Sequence, residues 1–153
     1  MISPAHAHDP DRILDSVTIE VEAGKIREFA RATMSSDYVY TDCAAAADAG
    51  FEQVLATPTH VVVAGHHRDQ KGFVAALGLA IDRVVVGSVD WEYQRPLIAG
   101  DRITGIRRVV DDVTKESRRG GSMRLVTLET SWVDVGGNVV VTQREVLIEK
   151  GKK

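Results

Sequence analysis

With 153 residues, 44% of them hydrophobic, and a formal net charge of −3, the chain suffices for one domain with a substantial core and is nearly balanced in charge. No cluster of Lys and Arg interleaves with aromatic residues, which argues against nucleic acid and anionic membrane surfaces as partners. Cys43 is the single cysteine, so no intrachain disulfide can form. The small residues 44–47 beside it predict an inert, half-buried thiol in a reducing, cytoplasmic setting.

No apolar run reaches membrane-spanning length, and the opening MISPAHAHDPDR lacks the basic-then-apolar order of a secretion signal. Residues 1–14 carry Pro4, Pro10, His6 and His8 with little to bury, and predict a flexible tail ahead of one domain over 15–153. Two imidazoles without a third ligand predict no metal site. Residues 15–21 alternate, with Val17, Ile19 and Val21 set against Thr18 and Glu20, as a half-buried strand does. From Lys25 the period lengthens. Ile26, Phe29, Ala30, Thr33 and Met34 then share one face of an amphipathic helix.

The polar segment SSDYVYTD (35–42) follows, then DCAAAADA, helical by propensity, with Asp42 as its cap and Gly50 as its stop. In LATPTHVVVAG (55–65), Pro58 suits a first helical position and Thr57 can cap the free donors before it. The spacing therefore predicts a helix through residues 61–64, apolar on nearly every side and wrapped by other structure. Three consecutive valines also suit a buried strand. Residues 66–71 (HHRDQK) are too polar for core, and residues 72–81 predict a short helix or an ordered loop.

The second half changes to a period of two. Val85, Val89, Trp91 and Tyr93 alternate with polar residues, and Gly87 marks a bulge or a close approach. An imperfect strand over 103–113, a turn at RRGG (118–121), a strand with Val126, Leu128, Thr130 and Trp132 on one face, a hairpin at VGGN (135–138) and a last strand over 139–149 complete the pattern. Helices first and an antiparallel meander afterwards predict an α+β domain, one sheet packed on helices.

Three stretches, GKIREFARA (24–32), YTDCAAAADAGFEQVLATPT (40–59) and VDWEYQRPLIAGD (89–101), together resemble the N-terminal-type MaoC dehydratases, relatives of fatty acid synthase dehydratase modules and of heteromeric hydroxyacyl-ACP dehydratase subunits. The resemblance spans about residues 21–150. It implies a hot-dog fold, an antiparallel sheet wrapped around a central apolar helix, and reversible addition of water to an acyl-CoA or acyl-ACP thioester without a cofactor. That chemistry removes an α-proton, protonates the leaving β-hydroxyl and stabilises an enolate-like thioester oxygen, which backbone N–H groups at a helix start can do.

In the resembled family a segment of the form Asp-x-Asn-Pro-x-His supplies the proton-transfer pair. Here Ser35 falls at the Asp position and Tyr40 at the His position, and neither replaces it: a serine does not titrate in range and a tyrosine near 10 is a poor base at neutrality. Moving the register to Asp37 puts Asp42 at the His position. The resemblance thus points to binding, with Ser35, Asp37, Tyr40, Thr57, Pro58, Thr59 and His60 as substrate-binding candidates and no confident catalytic residue. It implies a homodimer, or a heterodimer in which a catalytic MaoC-type chain supplies the Asp and His. The alternatives are a catalytically competent homodimeric hydratase using non-standard residues, a hot-dog acyl-CoA thioesterase, for which Glu52 and His60 are the nearby candidates, and a non-catalytic acyl-thioester binding module.

Overall fold

The computed structural model describes residues 12–116 and 121–151. The expected tail and His6 and His8 lie outside the described residues except for the tail's last positions; so does most of the expected RRGG turn. Strand β1 (Ile13–Glu20) leads into helix α1 (Ala23–Ala32), a 3-10 turn (Tyr38–Tyr40) and helix α2 (Cys43–Asp48). A 3-10 helix (His60–His67), helix α3 (Gln70–Ala76) and a 3-10 turn (Ile81–Arg83) precede β2 (Val84–Tyr93), β3 (Arg102–Glu116), β4 (Ser122–Val133) and β5 (Val139–Lys150). The strands form one antiparallel sheet in the order β1-β3-β4-β5-β2.

The sheet follows the period-two pattern, with departures at bulges. On β4, Val126, Leu128, Thr130 and Trp132 all face inward. The imperfect alternation of β3 has a physical cause: the register shifts between Val109 and Asp111, so inward parity is lost beyond that point. A second shift between Val86 and Ser88 places the bulge at Gly87, where an added Cβ would lie 2.7 Å from Ile148 Cδ1. The bulge also corrects one expectation, because Val85, grouped with Val89 by sequence alternation, is 40% exposed. Gly105, opposite Trp132 in the ladder, leaves room for the indole; a Cβ there would stand 2.7 Å from its Cζ3.

The helical half is less regular than the sequence predicts. Asp42 caps α2, accepting from the Ala44 and Ala45 amides at 2.7 and 3.3 Å, and Gly50 takes φ +89° just past its end. Helix α1 stops at Ala32, Thr33 forms its C-cap, and Met34 turns left-handed at φ 57° and is 91% exposed, so the apolar face ends at Ala30. Cys43, expected half-buried, is exposed in the first turn of α2. The central segment is helical and not a strand, but it is a 3-10 helix, since consecutive β-branched valines and Gly65 are poor α-formers and a three-residue repeat puts Val61 and Ala64 together on the core side. Thr57 does not cap it: Thr59 is the N-cap and makes no side-chain cap bond.

Two cores result. One gathers Ile19, Val21, Ile26, Val54, Val61, Ala64, Leu97, Ile103 and Trp132 between the helices and the sheet. The other sets Val74, Leu77 and Leu79 of α3 and its following loop against Val126, Leu128 and Leu147. Arg68, grouped by sequence among residues too polar for core, is buried and paired with Asp15 of β1.

Candidate functional site

The segment after α1 is built from local hydrogen bonds. The Ser35 amide donates to the Ala30 carbonyl at 2.8 Å, and the Thr33 and Ser35 hydroxyls are 3.1 Å apart. Asp37 accepts from the Val39 amide at 3.1 Å and so starts the turn that carries Tyr38 and Tyr40. The Leu55 amide then donates to the Val39 carbonyl at 2.9 Å, the Ala56 amide to Leu97, and the Ala99 amide to Val54. These short ladders hold residues 54–56 between the Tyr38–Tyr40 turn and the loop after β2, and so deliver Pro58 to the inner end of that strand.

A cavity of about 310 Å³ opens there. Tyr40, Leu55, Ala56 and Pro58 form one side and Tyr93, Gln94, Arg95, Pro96 and Leu97 the other. The Tyr93 hydroxyl donates to the Pro58 carbonyl, and burial pushes its pKa up to about 12, so it stays a neutral donor. Arg95 is clamped by Asp101 through two bonds of 2.7 and 3.0 Å, while the Ile98 amide donates to the same carboxylate at 2.9 Å. The largest cause raising the guanidinium pKa is that hydrogen-bonded carboxylate. Asp101 is thus a structural clamp that presents a fixed cation at the pocket.

The seven predicted binding residues do not share one hollow. Tyr40 and Pro58 line the pocket just described. Ser35 and Asp37 line a separate depression of about 380 Å³ with Arg27, Arg31, Tyr38 and Thr41. Thr57 and His60 are buried, and neither the Thr57 hydroxyl nor either imidazole nitrogen has a hydrogen-bond partner among the described residues. Phe29 meets the His60 ring edge-on at 5.6 Å between centroids. Burial, with Lys25 adding to it, lowers the His60 pKa to about 4, so the imidazole is neutral at pH 7. Thr59 is half-buried at the helix start, where its own amide and that of Val61 have no backbone partner among the described residues.

Sequence reasoning missed Tyr93 and Arg95. Their signal was present in VDWEYQRPLIAGD, because the alternation that half-buries Trp91 also turns Tyr93 toward the core, and Arg95 stands two residues beyond it.

This strand order around a short central helix is that of a hot-dog domain. The sequence matches the family described as "FAS1-like, dehydratase domain region" over residues 11–143. A UPF0336 protein from Thermobifida fusca (strain YX) is 35% identical over 133 residues, covering 86% of this chain and 84% of that protein. The chain belongs to this dehydratase-domain family and, within it, to the UPF0336 proteins. In fold it resembles a chain of the C-terminally truncated HadBC (3R-hydroxyacyl-ACP dehydratase) complex from Mycobacterium tuberculosis, with TM-score 0.69, 21% identity, and 86% of this chain and 90% of that chain covered. A protein described as "MaoC-like dehydratase" superposes with TM-score 0.75 at 23% identity over 92% of this chain but only 43% of that longer one.

Proposed function

We propose that this chain is the thioester-binding subunit of a (3R)-hydroxyacyl thioester dehydratase, working in the cytoplasm beside a catalytic MaoC-type chain that contributes the Asp and His. The observation that carries the proposal is the composition of the pocket at Pro58: two tyrosines, apolar walls and a clamped Arg95, with no carboxylate free of its clamp and no imidazole. Such a pocket can hold an acyl group and its thioester. It lacks a group able to accept a proton near neutral pH. His60 is the nearest imidazole in sequence, and it is enclosed against Phe29. The thioesterase alternative is weaker, because the central helix HVVVAGHH carries no carboxylate and Glu52 lies outside it.

The test is hydration of crotonyl-CoA by the purified chain alone and after co-expression with a MaoC-type chain that retains its Asp and His, alongside acyl-CoA binding by the chain alone. The expected result is binding without appreciable turnover by the isolated chain, and turnover by the pair. Brisk hydration by the unmixed chain overturns the proposal.

A further inference from the structure

Two arginines occupy positions that parity and burial mark as core. Arg107 follows Ile103 and Gly105 on the inward face of β3, and Arg68 closes the central 3-10 helix; their side chains are only 8% and 3% exposed. Arg68 stacks over the Trp132 ring at 5.7 Å and Arg107 over Phe73 at 4.5 Å. Asp15 is the one carboxylate within ion-pairing distance of either among the described residues. It pairs with Arg68 and stands 3.7 Å from Arg107 Nε, too far for a hydrogen bond.

Donors therefore outnumber acceptors. Arg68 Nη2, Arg107 Nε, Arg107 Nη1 and Trp91 Nε1 are all buried without a partner. An unmade buried hydrogen bond costs about 1 to 3 kcal/mol, and more for a charged group, so donors of this kind favour an anionic acceptor brought within their reach. Arg68, Arg107 and Trp91 do line one cavity, of about 180 Å³, distinct from the pocket at Pro58. Burial, and the neighbouring Arg107 cation next, lower the Arg68 pKa to about 10; burial lowers that of Arg107 as well.

The remaining walls select among anions. Val61, Ala64, Val89 and the faces of the two indoles are apolar, Gln70 and Gln143 add neutral amides, and Glu145 brings one negative charge that acts on both guanidinium groups without forming an ion pair with either. A phosphate dianion would meet that carboxylate and leave the apolar walls uncovered. A monoanion with a short aliphatic body satisfies both parts, its planar carboxylate matching the guanidinium forks.

We propose that this cavity is a binding site for a short-chain aliphatic carboxylate, held by Arg68, Arg107 and the Trp91 indole N–H.

The site carries its own reporter, because Trp91 and Trp132 are the chain's only two tryptophans and both line the cavity. The full chain is titrated with sodium butyrate while indole fluorescence is followed, with butyramide as the neutral isostere and with sodium chloride and sodium phosphate at matched ionic strength. Butyrate should give a saturable change that the three controls do not. Trp91→Phe, which deletes one donor and keeps the shape, should weaken binding roughly fivefold, the equivalent of about 1 kcal/mol for one hydrogen bond. Glu145→Gln should tighten it by removing the opposing charge, and Arg107→Gln should abolish it, circular dichroism checking that the variant is folded. Absence of a saturable butyrate signal, an equal response to butyramide or phosphate, or unchanged affinity in both Trp91→Phe and Glu145→Gln overturns the proposal. The titration uses no thioester and no second chain, so its failure leaves the dehydratase reading intact.

Discussion

His60 shows how one residue can set the acid limit of a fold. Its folded pKa of about 4 lies below the ordinary 6.5, so the fold favours the neutral ring. The associated stability is fully present above about pH 6.5, is lost progressively as pH falls towards 4, and levels off below, a total of about 3 kcal/mol. Replacing the ring by His60→Leu should leave stability at pH 7 within about 1 kcal/mol, since two unpartnered nitrogens disappear with it. It should also flatten the decline between pH 6.5 and 4. Urea unfolding of wild type and variant at several pH values in that window measures both effects; parallel curves would remove His60 as the source. A histidine after TPT was visible in the sequence, whereas its enclosure was not, because that depends on Phe29 arriving from α1. Ser35 and Tyr40 were paired in the sequence by linear spacing alone. That they face separate hollows follows from the turn Asp37 starts, a distinction that linear spacing does not carry.

At the level of the elements, side-chain parity was the most readable feature, and its failures occur at bulges. Val126 to Trp132 kept their expected face because β4 has no register shift before Trp132, while the shift after Val86 moved Val85 outward. Helix type was harder to read, since capping residues announce a helix start but not whether the following turns close at three or four residues; the valines of the central segment decided that sterically. The β3–β4 ladder offers a direct test of packing. Gly105→Ala should destabilise the domain by about 1 to 3 kcal/mol, because its methyl meets the Trp132 ring, which lies across that strand pair. Adding Trp132→Leu should give a double variant more stable than the sum of the two single losses predicts, as removing the ring relieves the clash. Denaturant midpoints for the four proteins of the cycle decide it; strict additivity would mean that the two residues do not meet.

For the whole molecule, the two sides of the sheet differ in how they end. The far half of β3, beyond the reach of β1, carries Asp111, Asp112, Lys115 and Glu116, whereas β2 presents Val85 and Val86 at 40% and 55% exposure along an edge without a neighbour among the described residues. Pairing through β2 would cover both valines, and light scattering at micromolar concentration should therefore return at least twice the chain mass, with Val86→Lys shifting the species toward monomer. A monomer mass for the wild type would count against this.

The sheet order also governs the order in which the protein can be made. β1 has no partner until β3 is synthesised, as the pairing of Ile19 with Ile103 shows, and β2 has none until β5, the last strand. A nascent chain that has released α1, α2 and the valine-rich central helix thus holds Val17, Ile19 and Val61 with no sheet to receive them. Loop closure across such separations makes folding slow, and the waiting intermediate exposes apolar surface. The five-stranded sheet of the described residues can therefore be completed only once β5 is available to pair with both β4 and β2.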